Sequence, residues 1–83
     1  MEIGTVTGSV WGTRKVPGLS GLALLVVRTE AGPRVAADAL GAGKGDRVLL
    51  SFGSAARLCC DGAPVDASVV AILDQGEVPY VGT

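Results

Sequence analysis

The 83-residue sequence contains no histidine. Histidine is the most frequent general base in enzymes and the most frequent metal ligand, so its absence removes the usual partner of a catalytic serine or aspartate. Ser54 follows Gly53 without the GxSxG pattern of a nucleophile elbow, and Asp38 has no histidine to work with. We therefore predict that the protein is not an enzyme, and that it holds no catalytic residue, no metal and no cofactor.

Cysteine is nearly absent as well, and occurs only at positions 59 and 60. Two adjacent cysteines form neither a CxxC metal clamp nor the disulfide framework of a small secreted domain. We expect Cys59 and Cys60 to be small, partly buried packing residues.

Aromatic residues make up only 4% of the chain, and its net charge is −1 with a pI near 5.1. Nucleic-acid modules need a basic surface and stacking platforms, which this composition does not supply. We predict no nucleic-acid partner, and we interpret the single Trp11 as an anchor at an edge or an interface.

The sequence also lacks targeting and membrane-spanning segments. Residues 1–10 carry an acid at position 2 and glycines at 4 and 8, unlike the basic start and apolar run of a signal peptide. No apolar run approaches the roughly 18 residues of a membrane span. We predict a cytosolic protein that does not bind a membrane.

What the chain has in quantity is apolar residues, at 48%, against only 18% charged residues. A domain of this length buries only about 60% of its unfolded surface, and it usually needs a disulfide, a metal or a partner subunit for stability. Since the first two are excluded, the composition predicts oligomerisation through exposed apolar surface.

The most distinctive local feature is a turn with glycine at positions 41, 43 and 45. It lacks the residues of a Walker loop, because Asp38 and Gly45 replace its first glycine and its Ser or Thr. It also lacks the last glycine of GxGxxG, where Asp46 stands. We interpret it as a structural turn with positive φ, close backbone approach or both, and we expect Asp38 to accept hydrogen bonds from nearby backbone N–H groups.

The order of elements predicts an all-β fold, a small five-stranded OB-like barrel with one short helical turn. The continuous apolar runs of the second and fifth strands predict burial on both faces, in part by a neighbouring subunit. Residues 1–74 form one domain, and 75–83 form a tail with room for one short edge strand around Tyr80. The predicted strands are 2–11, 22–28, 34–37, 47–52 and 68–73, and the helical turn is 54–58 with Gly53 or Ser54 as its cap.

An ordered set of short segments also runs through most of the chain: Gly8-Ser-Val-Trp11, the stretch 14–27, Val35-Ala-Ala-Asp38, Gly41-Ala-Gly-Lys-Gly-Asp46, Val48-Leu-Leu50, Gly53-Ser-Ala-Ala-Arg57 and the stretch 64–74. In this order they resemble the EutN/CcmL family, the pentameric vertex proteins of bacterial microcompartment shells. The resemblance implies an OB-like barrel assembled as a homopentameric ring, without catalysis. It also implies a place in the cytoplasm, at the five-fold vertices of a shell otherwise tiled by hexagonal shell proteins.

Two groups of residues are candidates for the contacts of such a ring. The first group would lie at the five-fold axis or the subunit seam: Asp38, Gly41, Gly43, Lys44, Gly45, Gly53, Ser54 and Arg57. The second, Arg14 and Lys15, would form a loop at the shell edge. The alternative for Lys44, Arg14 and Lys15 is an ordinary solvated turn. The alternative function is a small OB-type binding module for a ligand or a protein partner.

Overall fold

The computed structural model describes residues 1–12, 14–19 and 21–74. Its strands close into a barrel in the order β1, β2, β3, β5, β4. The predicted five-stranded barrel with one short helix is therefore confirmed. The elements are β1 (Glu2–Val10), a short 3₁₀ turn (Pro17–Leu19), β2 (Ala23–Thr29), β3 (Gly32–Asp38), β4 (Arg47–Phe52), α1 (Ser54–Leu58) and β5 (Ala67–Leu73).

Several strand ends differ from the prediction by one residue. The 3₁₀ turn in the β1–β2 loop was not predicted, and β3 begins at Gly32, two residues before its predicted start, so that Pro33 lies in the strand. Proline is tolerated there because its position is near the start of the strand, where fewer ladder hydrogen bonds are needed. The predicted edge strand around Tyr80 falls outside the described residues.

Strand β1 joins the two halves of the barrel, because it pairs with β2 along one edge and with β4 along the other. Its ladder with β2 shifts register between Val6 and Gly8, a β-bulge that bends the strand. Among the described strands, all pairings are antiparallel except that of β3 with β5, which is parallel and consists of Ala37–Ser68 and Asp38–Val69. This short parallel contact closes the barrel.

The barrel interior is filled by small aliphatic side chains. Gly4 allows β1 to lie close to β2, since a Cβ at this position would be 2.5 Å from Val27 Cγ1 and 2.7 Å from the Arg28 carbonyl oxygen. Glycine is therefore required by packing at position 4. The buried core consists of Val6, Leu25, Val27, Ala36, Val48, Leu50, Ala67 and Val69.

A second, smaller apolar cluster lies outside the barrel. Residues 60–65, which connect α1 to β5, place the buried Cys60 and Ala63 against Ala37 of β3. Leu24 of β2 packs against the same cluster. Cys60 is the buried packing residue that the sequence predicted, but the prediction for Cys59 is wrong, because its position at the end of α1 leaves it exposed.

Helix α1 is short and is capped by backbone geometry. Gly53 occupies the N-cap position with φ of +67° and offers no side-chain hydrogen bond, so one of the two predicted caps is confirmed. Within the described residues, no helix is long and apolar enough to cross a membrane.

Candidate functional site

Asp38 fixes the start of the glycine turn, which we define as residues 41–46. Its Oδ1 accepts a hydrogen bond from the Leu40 N–H at 3.0 Å, and its Oδ2 accepts from the N–H groups of Gly41 at 3.1 Å and Ala42 at 2.8 Å. Only 6% of Asp38 is exposed. The predicted role of this carboxylate as a backbone acceptor is confirmed, and both of its oxygens accept backbone hydrogen bonds.

The far side of the glycine turn is held by its own aspartate and by β1. Asp46 Oδ2 accepts a hydrogen bond from the Gly43 N–H at 2.8 Å. The Gly45 N–H donates to the Val6 carbonyl at 2.8 Å, and the Val6 N–H donates to the Asp46 carbonyl at 2.9 Å. The turn is therefore fixed against β1 next to its bulge.

The three glycines of the turn have different roles. Gly41 and Gly45 have φ of +85° and +93°, so the predicted positive φ is confirmed at both. Gly43 has no positive φ, and a Cβ there would meet nothing nearer than Asp46 Oδ2 at 4.0 Å. Close approach to residues 1–12, 14–19 or 21–74 therefore does not explain Gly43, and this part of the subunit leaves room for a Cβ at this position.

The structure divides the residues predicted for the five-fold axis or the subunit seam between the two ends of β4. Lys44 is exposed at the tip of the glycine turn, before the strand begins. Gly53, Ser54 and Arg57 are exposed at or after the end of the strand, roughly 17 Å away for a strand of this length. Because Arg57 is exposed, it needs no buried carboxylate partner.

Arg14 and Lys15 are exposed in the loop between β1 and β2. The base of this loop packs on the segment that follows α1, since a Cβ at Gly18 would lie 2.7 Å from Pro64 Cδ. The loop is thus attached to the barrel, while its two cations face outward.

The structure also shows two apolar outer faces that were not assigned residue by residue from the sequence. The first face consists of Ile3, Leu49, Ala71 and Leu73 on β1, β4 and β5, with Ile3 paired to Leu49 and Leu49 to Ala71. The second face consists of Gly8, Val26 and Val35 on β1, β2 and β3. Val35 is 51% exposed and Trp11 is 88% exposed. The continuous apolar runs of β2 and β5 were the signal for these faces.

Acidic and thiol side chains do not cluster in the described part of the chain. No group of three or more Cys, Asp or Glu side chains lies within reach of one ion there. The only ion pair among residues 1–12, 14–19 and 21–74 joins Arg34 Nε to Glu2 Oε1 at 3.3 Å, at the barrel end where Arg34 also lies over the Phe52 ring.

A fixed turn and two apolar faces on one small barrel are features of a protein that assembles into oligomers. Comparison with known families identifies the family. The sequence profile described as "Ethanolamine utilisation protein EutN/carboxysome" matches residues 1–74. The chain belongs to the EutN/CcmL family. The predicted family is thereby confirmed.

Two characterised members of the EutN/CcmL family illustrate the relationship. The carboxysome shell vertex protein CcmL of Synechococcus elongatus is 47% identical over 87 aligned positions, which cover 94% of this chain and 88% of CcmL. The bacterial microcompartment shell vertex protein PduN of Salmonella typhimurium is 41% identical, with 89% of this chain and 96% of PduN covered.

Solved structures of the EutN/CcmL family share the fold. The pentameric microcompartment shell protein GrpN of Rhodospirillum rubrum matches with a TM-score of 0.83 at 39% identity, covering 94% of this chain and 99% of GrpN. CcmL of Gloeobacter violaceus matches with a TM-score of 0.82 at 42% identity, covering 95% and 91%. Membership of this family confirms the predicted structural, non-enzymatic role in a microcompartment shell.

Proposed function

We propose that five copies of this chain form a ring that closes a five-fold vertex of a bacterial microcompartment shell, with residues 1–74 as the assembling domain. The observation that carries the proposal is the match to the pentameric GrpN over 94% of this chain and 99% of that one. The same barrel over nearly the same length leaves no major element of the pentameric relative without a counterpart.

The two apolar outer faces suit a ring. Rotational rings of five close through heterologous interfaces, in which one patch of a subunit meets a different patch of the next. The face with Ile3 and Leu49 and the face with Val26 and Val35 lie on different strand triplets, β1–β4–β5 and β1–β2–β3. We assign one face to each side of the seam, where they supply the burial that a chain of this size lacks.

The glycine turn is assigned to the five-fold axis. Gly43 has space for a side chain within its own subunit, so crowding by neighbouring copies of the turn accounts for a glycine there. Lys44 at the exposed tip would then place five ammonium groups around the axis. Gly53, Ser54 and Arg57, at the other end of β4, are assigned to the seam.

The neighbours of the ring in the shell are hexagonal shell proteins. Arg14 and Lys15 supply the exposed charge of a loop fixed to the barrel at Gly18, and we assign this loop to the edge that contacts those neighbours. Exposed charges at an interface rim affect the association rate and the choice of partner more than affinity. These two residues would therefore change how fast the ring binds its neighbours and which neighbours it binds.

The first test is the native mass of the purified chain. We expect five copies at micromolar concentration, and a monomer or dimer would contradict the pentamer itself.

Co-assembly with hexagonal shell proteins, observed by electron microscopy, then tests the vertex position. Loss of co-assembly in an Arg14→Glu and Lys15→Glu double variant that still forms rings would support the edge loop.

The axial turn is tested separately by Gly43→Val. The single chain has room for this side chain, so we expect a folded protein that no longer forms rings in native mass spectrometry. Gly12→Val, in the β1–β2 loop with 3.4 Å to the nearest atom, is the matched control and should still form rings. Rings of unchanged mass from Gly43→Val would remove the glycine turn from the axis without affecting the pentamer proposal.

A further inference from the structure

Three polar side chains form a row on the outside of the barrel. Thr5 of β1 is paired with Arg28 of β2 on one edge and with Arg47 of β4 on the other. Residues directly opposite each other in a sheet point to the same face, and the buried Gly4 and Val6 on either side of Thr5 place this face outside. The two arginines are thus two strand spacings apart, about 10 Å between their Cα atoms, with a hydroxyl between them.

This row lines an open cleft of about 970 Å³ at one end of the barrel. Arg28 is exposed and Arg47 is half-buried. Neither makes an ion pair within the described residues, where the only such pair joins Arg34 to Glu2. That pair also engages Glu2, one of the two acids that line the cleft. Among the residues that the structure describes, two guanidinium groups therefore face the same space without a carboxylate ion-pair partner.

We propose that this cleft, which we call the arginine cleft, binds a small oxyanion, a phosphate or carboxylate group of a solute. The planar guanidinium presents two parallel N–H groups that fit two oxygens of such an anion, and two arginines on opposite sides of Thr5 can hold one anion between them. The Thr5 hydroxyl is placed to donate a further hydrogen bond. All three residues belong to one subunit. The cleft borders the seam that we propose, because Ile3 lines it and Leu73 of the same apolar face is paired with Arg47, so binding is measured on the assembled protein.

Glu30 sets a limit on the affinity of the arginine cleft. It is the second acid in the lining, it is exposed in the β2–β3 turn, and it makes no ion pair with either arginine. Its carboxylate repels an incoming anion, so binding is weaker than two arginines alone would give. Glu30→Gln should consequently tighten binding while leaving the arginines in place.

The test is titration calorimetry of the assembled protein with inorganic phosphate and, separately, with malonate, at constant ionic strength. We expect saturable binding of at least one of the two. Arg28→Gln and Arg47→Gln should each weaken it about tenfold or more, the usual effect of losing hydrogen bonds to a charged group. Arg14→Gln removes the same charge from a loop outside the cleft and should bind as the wild type does. Tighter binding of phosphate would identify a phosphate-bearing solute, and tighter binding of malonate a carboxylate.

Two calorimetric results would overturn the proposal: no saturable binding of either anion at millimolar concentration, or the same weakening in Arg14→Gln as in Arg28→Gln. Nuclear magnetic resonance of the wild-type protein provides a readout that does not depend on the folding of a variant. Addition of the anion should shift the Nε–H signals of Arg28 and Arg47 and leave that of Arg14 unchanged, and the absence of this difference would also contradict the site.

Discussion

Gly4 is the residue at which the barrel tolerates a side chain least. A Cβ there would press on Val27 Cγ1 and on the Arg28 carbonyl, and backbone cannot move aside at little cost. We predict that Gly4→Ala lowers the free energy of unfolding by roughly 1–3 kcal/mol, as overpacking of cores does. Denaturant unfolding at fixed protein concentration measures it. Gly8→Ala is the control on the same strand, with nothing within 4 Å, and equal losses in both variants would refute the packing argument.

The two adjacent cysteines differ in reactivity, because one is exposed and the other is buried. Burial raises the pKa of the Cys60 thiol above its usual value near 9.0, and the nearby Cys59, Asp61 and Asp38 raise it further. The reactive thiolate of Cys60 is therefore scarcer at any pH below its raised pKa. At pH 8, which lies below the usual thiol pKa near 9.0, we predict that a thiol reagent rapidly modifies one cysteine per folded chain.

Variants identify the fast cysteine. Cys59→Ser should abolish the fast reaction, and Cys60→Ser should preserve it. Rapid modification of Cys60 in the folded protein would show that residues 60–65 do not stay packed on the outside of β2 and β3.

At the scale of elements, the glycine turn depends on a single carboxylate. Asp38→Ala removes the acceptor of three backbone N–H groups, of which the Ala42 group is half-buried. We predict a loss of about 2 kcal/mol in the free energy of unfolding, and a smaller loss for Asp38→Asn, which keeps one acceptor oxygen. Asp66→Ala, at an exposed aspartate before β5, is the matched control in denaturant titrations. An equal loss of unfolding free energy in Asp66→Ala would mean that removal of a negative charge, and not loss of the hydrogen bonds to the turn, causes the effect.

The elements were predictable because their signals are local. Valine- and leucine-rich runs between glycine and proline turns predicted the strands. The position of Asp38 shortly before Gly41 predicted that its carboxylate accepts backbone hydrogen bonds. The row of Arg28, Thr5 and Arg47 was not predictable, because it depends on the register of three strands that are distant in sequence. The bulge after Val6 shows why register cannot be counted from the sequence, since one extra residue moves the following side chains to the opposite face.

At the scale of the whole molecule, the small net charge predicts an assembly that is insensitive to salt. Each chain carries −1, so the ring carries 5 × −1 = −5. Salt screens interactions between charges, and the Debye length falls from about 10 Å at 0.1 M to about 3 Å at 1 M salt. The proposed seam faces are apolar, so this screening should not weaken the contacts between subunits. We predict the same sedimentation coefficient at both salt concentrations. Dissociation at the higher one would mean that ion pairs hold the seam.

The closure of the barrel has a mechanical consequence. Among the described residues, β3 and β5 pair only at Ala37–Ser68 and Asp38–Val69, whereas every other strand junction is longer. Under an outward load the cylinder should yield first along this junction, because separating these two strands breaks the fewest backbone hydrogen bonds. A subunit built in this way should widen on that side while β1, β2 and β4 remain joined. In the ring that we propose, this junction is where a corner of the shell should deform first.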